Sequence, residues 1–124
     1  MYSGELNNKI IGYYEAYYKS CGLKNYQALA RARLSEEAVE SKRMQALQEV
    51  LGFKFAPPQK HFIMGAGTGG LAVVLSKEYG VDIFGCEPDQ EALKIIKEKM
   101  PEQGIDFSGF AGDFGENLSF QSSC

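Results

Sequence analysis

Four glycines fall within six positions in the run Met64-Gly65-Ala66-Gly67-Thr68-Gly69-Gly70-Leu71, where an apolar stretch ends and an apolar helical pattern begins. Glycines at such a turn let the backbone pass close to a ligand where a side chain would collide. A helix starting there points its first N–H groups at whatever occupies the turn. A second apolar run ends in an acidic residue, Glu87, twenty positions after Gly67. A carboxylate so placed can accept hydrogen bonds from both hydroxyls of a ribose. Together the two features describe a pocket for an adenosine-containing cofactor. Gly65 to Gly70 fits the spacing used for dinucleotides and the spacing used for S-adenosylmethionine, so the loop alone leaves the cofactor open.

The elements that must hold this loop are legible from periodicity. Strands are expected near 60–64 and 81–86, helices near 68–79 and 89–100, and a third strand near 105–111, with Pro101 stopping the second helix. Strand–helix alternation at this spacing predicts right-handed βαβ units and a parallel sheet. Ahead of it lies a helical preamble. Leu6, Ile10, Tyr13, Tyr14 and Tyr17 recur at helical spacing up to a stop at Gly22, and an Ala- and Arg-rich stretch from 25 to 34 reads as a short second helix. Ser35 reads as the N-cap of a third, with Glu36 and Glu37 as favourable charges in its first turn. Its expected apolar face is Val39, Met44, Leu47, Val50 and Leu51, ending at Gly52, and Pro57-Pro58 marks the break between the halves. The division is thus a helical extension over 1–56 and a partial α/β domain over 57–124.

Composition sets outer limits. A chain of 124 residues, 44% hydrophobic and 23% charged, can build one modest core. A net charge of −3 without a basic run gives no reason to expect nucleic acid or an anionic membrane. The N-terminus reads as no signal peptide, and no apolar run approaches the ~20 residues of a membrane-spanning helix. Three widely spaced cysteines, Cys21, Cys86 and Cys124, predict reduced thiols in a cytoplasmic protein. His61, the only histidine, reads as a packed or solvated ring, and the stripe Tyr13, Tyr14, Tyr17 and Tyr18 reads as core packing rather than a cover for substrate or cofactor. Arg31, Arg33, Lys42 and Arg43 read as solvated helix faces, although one arginine could reach a cofactor carboxylate. No acidic or histidine pattern has metal-ligand spacing.

The text after the loop resembles class I S-adenosylmethionine-dependent methyltransferases. Gly85-Cys86-Glu87-Pro88-Asp89-Gln90-Glu91-Ala92-Leu93 is similar to that family's second motif, and Phe110-Ala111-Gly112-Asp113-Phe114 to its third. The resemblance spans about 62 to 120 and implies a Rossmann-like sheet, here of about three strands. It implies S-adenosylmethionine as the cofactor, held by Gly65, Ala66, Gly67, Thr68, Gly69, Glu87 and Pro88, with Asp113 at the adenine amino group and Phe114 beside the ring. It further implies methyl transfer, which rests on in-line positioning more than on strong acids and bases. The chain departs from the family at Ile63, where an acidic residue is usual two positions before the first glycine, and it ends before the family's later strands. Catalysis by these residues alone is therefore not expected, and the substrate is not readable. Open alternatives are a flavin- or nicotinamide-binding oxidoreductase fragment and a non-enzymatic partner module. An apolar first strand on an open sheet edge is expected to promote self-association.

Overall fold

The structure, a computed structural model, describes residues 2–106 and the backbone of 110–111. Helix α1 (Gly4–Ser20) is capped by the Ser3 hydroxyl, which accepts from the Leu6 N–H, and buries Leu6, Ile10 and Tyr14 at four-residue spacing. Helix α2 (Tyr26–Ala32) runs through a 3-10 turn at Arg33–Ser35 into α3 (Glu36–Leu51), which closes on Gly52 in the left-handed region at φ 70°. Then come β1 (Lys60–Met64), α4 (Gly70–Tyr79), β2 (Asp82–Cys86), α5 (Gln90–Glu102) and the two-residue β3 (Phe110–Ala111). No helix among the described residues is long and apolar enough to cross a membrane.

The fold is mixed α/β with a small parallel sheet. β1 pairs with β2 from Lys60↔Asp82 to Met64↔Cys86, and β3 adds Gly85↔Phe110 and Cys86↔Ala111 at the end of β2. Two right-handed crossovers stepping in one direction put both connecting helices on one face of a sheet. The core shows it: Ala72 and Val73 of α4 meet Ile96 and Met100 of α5 over Ile63 and Ile83. The fully buried Val, Ile and Met side chains among them each contribute roughly 1.5–3 kcal/mol. A second cluster joins Leu6, Ile10, Tyr14 and Ala30 to Ile95, so the N-terminal helices share α5's buried face.

Several sequence expectations are corrected. Ser35 precedes α3, but its side chain makes no capping bond because the 3-10 turn already delivers the chain into the helix. Pro101 does not stop α5. It sits in the last turn, where a missing N–H costs one bond, and the helix closes through Gly104 at φ 70°, with the Ile105 N–H on the Met100 carbonyl at 2.9 Å. Residues 105–106 are outside the third strand, which among the described residues pairs at Phe110–Ala111. The largest difference is the rotation of α3. Val39, Leu47, Val50 and Leu51 are 46%, 37%, 81% and 61% exposed, and only Met44 packs, against Phe55, Leu75 and Val81. The helix instead turns Ser41 and Gln48 to α4, where they donate to Glu78 (2.8 Å) and to the Tyr79 hydroxyl (3.0 Å).

Candidate functional site

The glycine loop is the turn from β1 into α4. Ala66 continues the sheet by donating to the Cys86 carbonyl at 3.0 Å, and Gly67 and Gly69 then hold φ values of 60° and 88°, a region that side chains resist. Gly70 is excluded from any larger residue for a different reason. A Cβ there would lie 2.8 Å from Glu36 Cγ, so α3 rests directly on the first turn of α4.

Glu87 follows directly on β2 and is 8% exposed. One carboxylate oxygen accepts the Gly67 N–H at 2.6 Å, and the other accepts the Asp89 N–H at 2.8 Å. The residue thus clamps the glycine loop to the turn into α5. Each oxygen keeps a second lone pair for a hydroxyl donor. Asp89 in turn caps α5, accepting from the Glu91 and Ala92 N–H groups at 3.0 and 3.4 Å. The Tyr13 hydroxyl donates to Asp89 at 2.7 Å, and this bond holds the Asp89 carboxyl below its ordinary range.

Beneath the loop lies a polar cluster that the sequence reading missed. Thr68, 1% exposed, donates its hydroxyl to Glu36 at 2.7 Å and accepts from the Tyr14 hydroxyl at 3.0 Å. Glu36 also receives Lys99, which is fully buried and reaches Glu37 at 2.9 Å. Tyr2 donates to Glu37 at 2.6 Å. Arg33 donates to Glu36 at 3.1 Å and to the Tyr14 hydroxyl at 2.8 Å, with its guanidinium carbon 4.3 Å from the Tyr14 ring centre. Buried ions are tolerated only when paired and hydrogen-bonded in this way. Burial first, and hydrogen bonding to the Glu37 carboxylate next, push the Tyr2 phenol well above its ordinary range. Burial first and Asp89 next do the same to Tyr13, and burial raises Tyr14.

The structure therefore brings Gly65, Ala66, Gly67, Thr68, Gly69 and Glu87 together. Pro88 follows on the surface, and Thr68 turns its hydroxyl inward to the cluster. Asp113 and Phe114 lie outside the described residues. Ile63, where an acidic residue was expected by resemblance, packs into the core. The stripe Tyr13 and Tyr14 is more than core packing, because the two hydroxyls bind the two loops that Glu87 clamps. Arg33 is half-buried rather than solvated, and Glu36 is no ordinary first-turn charge. One signal was available for Lys99: it falls three and four residues after Ile96 and Ile95, inside the apolar stripe of α5, where a lysine needs a buried partner. His61 contacts Gln59 at 3.0 Å and the Phe55 ring, as a packed histidine would. Cys21 and Cys86 are free, the first exposed and the second buried. Among the described residues no cluster of three histidine, cysteine or acidic side chains could hold a metal ion. A cleft of about 850 Å³ between α1 and α5, lined by Gly12, Tyr13, Tyr17, Asp89 and Ile95, opens beside the Glu87 turn. No protein-family model matches the chain, and no curated protein shows significant sequence similarity to it.

Proposed function

We propose that this chain is the cofactor-binding part of a Rossmann-like S-adenosylmethionine-dependent methyltransferase. The observation that carries the reading is the Glu87 clamp, which joins the glycine loop to the end of the second strand and leaves lone pairs for ribose hydroxyls. Gly65 offers a cradle of the right kind, since a Cβ there would meet nothing within 4 Å. Electrostatics separates the cofactors. A pyrophosphate needs free N–H groups and positive potential at the loop and helix start. Here the Gly67 N–H already faces the Glu87 carboxylate at 2.6 Å, and a Glu36 oxygen lies 3.3 Å from where a Gly70 Cβ would stand. The Glu87 carboxylate beside the loop disfavours a phosphate there and suits a cofactor that brings a sulfonium and an ammonium, while Glu36 is neutralised by Lys99 and Arg33.

S-adenosylmethionine, when bound, supplies an electrophilic methyl group on sulfur. The chain's own residues hold the ribose through Glu87 and fix the loop through Thr68 and Glu36. Tyr13 and Tyr14 of α1 hold the turn into α5 and the glycine loop through their hydroxyls. The methyl acceptor is not specified by any group described.

Thermal unfolding with added ligands tests the reading. A ligand that binds only the folded state at 100 times its Kd adds about 2.7 kcal/mol of stability. S-adenosylhomocysteine should raise Tm, while NADH and FAD should leave it unchanged. Protection by either dinucleotide, with none from S-adenosylhomocysteine, would favour the oxidoreductase alternative and end this one.

A further inference from the structure

We propose that α3 pairs antiparallel with α3 of a second copy of this chain, through the face it turns away from α4. The pairing does not depend on the cofactor reading. Ser41, Met44 and Gln48 hold one side of α3 to α4 and to the core beside it. On the opposite side Val39, Arg43, Ala46 and Val50 are all exposed, and they follow one another at steps of four, three and four residues. Those are the steps of a seam that packs against another helix. Leu47 and Leu51 widen the apolar surface along one flank of the seam.

Charge selects the occupant and its direction. Lys42 and Glu49 lie on the other flank, seven residues apart, and both are exposed. The ion pairs of α3 use Glu36, Glu37, Glu40 and Arg43, and leave Lys42 and Glu49 unpaired among the described residues. An antiparallel copy in register sets Val39 against Val50 and Arg43 against Ala46. Helical side chains lean towards their own N-terminus, so Lys42 of one copy and Glu49 of the other converge. The twofold axis makes that pair twice. A parallel copy would bring Lys42 beside Leu47 and form neither pair. Arg43 carries its own counter-charge, Glu40 at 3.0 Å, and the small Ala46 opposite leaves room for the guanidinium. A helix of 16 residues is about 24 Å long, so the contact is narrow and the dimer should be weak.

Sedimentation equilibrium of the whole chain, from micromolar to near-millimolar concentration, tests the pairing. The expected result is a monomer–dimer equilibrium that goes no further, because a twofold contact uses up the same face on both copies. A monomer throughout would leave the face to some other partner, and growth beyond two copies would mean an open contact; either overturns the inference. Lys42→Glu and Glu49→Lys each turn both pairs repulsive, and each alone should weaken the dimer about tenfold. An equimolar mixture of the two variants should recover the unaltered affinity, since every contact between unlike copies then joins a glutamate to a lysine. Single variants that dimerise as well as the unaltered chain would place the contact elsewhere, such as the β1 edge. Weakening without recovery in the mixture would rule out the antiparallel register. Circular dichroism should show both variants folded, because neither side chain holds a partner within its own chain. If one is unfolded, Lys42→Gln and Glu49→Gln decide, with a weaker dimer supporting the pairing and an unchanged one refuting it.

Discussion

Glu87 holds two loops together, and the proposed ribose contact would add a second role to the same side chain. Its two oxygens accept two backbone N–H groups from different loops, so the Glu87→Gln amide can satisfy only one of them and must turn an NH2 towards the other. Leaving a shielded donor unpaired costs about 1–3 kcal/mol. Glu87→Gln should therefore lower the urea midpoint as well as weaken S-adenosylhomocysteine, whereas an exposed ribose ligand would lose binding alone. Unchanged stability together with unchanged affinity would remove Glu87 from both roles. The sequence suggested a ribose-facing role through spacing from Gly67, because that spacing is set by one βαβ unit; the structure shows the clamp, and the ribose contact is the proposal above. It did not disclose the clamp, because which backbone groups meet a carboxylate depends on how two turns lie beside each other. Thr68 is similar. Its place in the loop was plain, but the direction of its hydroxyl follows from Tyr14 and Glu36, 54 and 32 residues away.

The helices and strands were legible wherever burial alone decided them. α5 follows its apolar stripe from Ala92 to Met100, and β1 and β2 lie where the short apolar runs put them. α3 was misread because its periodicity is real but does not face the core. Glu36 must reach Thr68 and Lys99 while Gly70 admits it, and that contact sets the rotation of the whole helix. α1 was placed correctly, yet the roles of its tyrosines depend on their hydroxyl partners. Those partners carry a pH consequence. Tyr2, Tyr13 and Tyr14 all have phenol pKa values raised above the ordinary value near 10, so the folded state holds these protons more tightly than the unfolded state. Their contribution is fully present below pH about 10 and is lost as pH rises from there through the folded values. The urea midpoint should thus fall between pH 10 and 11 in the unaltered chain. Tyr13→Phe combined with Tyr14→Phe should flatten that fall, and an equally steep fall in the double variant would refute the assignment. Asp89 has the opposite sign: its lowered pKa contributes above the ordinary aspartate value and is lost in acid.

Across the molecule, the sheet's strand order places β1 beside β2 alone among the described strands, with both crossover helices on one face. The sequence already indicated a parallel sheet, since alternation and crossover handedness leave few arrangements. It gave no sign that apolar surface would also remain on α3. Val39, Leu47, Val50 and Leu51 together make a patch of the kind that drives association, and Met64 at the end of β1 is 66% exposed. We expect the purified chain to self-associate with rising concentration. Light scattering should show this, and Val50→Lys with Leu51→Lys should reduce it. A concentration-independent monomer would mean that neither the patch nor the β1 edge is a contact surface in solution.

The polar cluster beneath the glycine loop also fixes when the site comes into being. Its members stand at Tyr2, Tyr14, Arg33, Glu36, Glu37, Thr68 and Lys99, and the Lys99–Glu36 contact alone closes 63 residues of chain. Contacts that close such long loops carry their entropy before they return any attraction, and they tend to complete late on the path to the native state. The loop can take its final shape only once α1 and α5 have met across it. Interactions finished after the rate-limiting barrier act on the rate of escape from the native state rather than the rate of arrival. A cofactor bound as proposed should therefore lengthen the lifetime of the folded chain and leave the speed of its folding almost untouched.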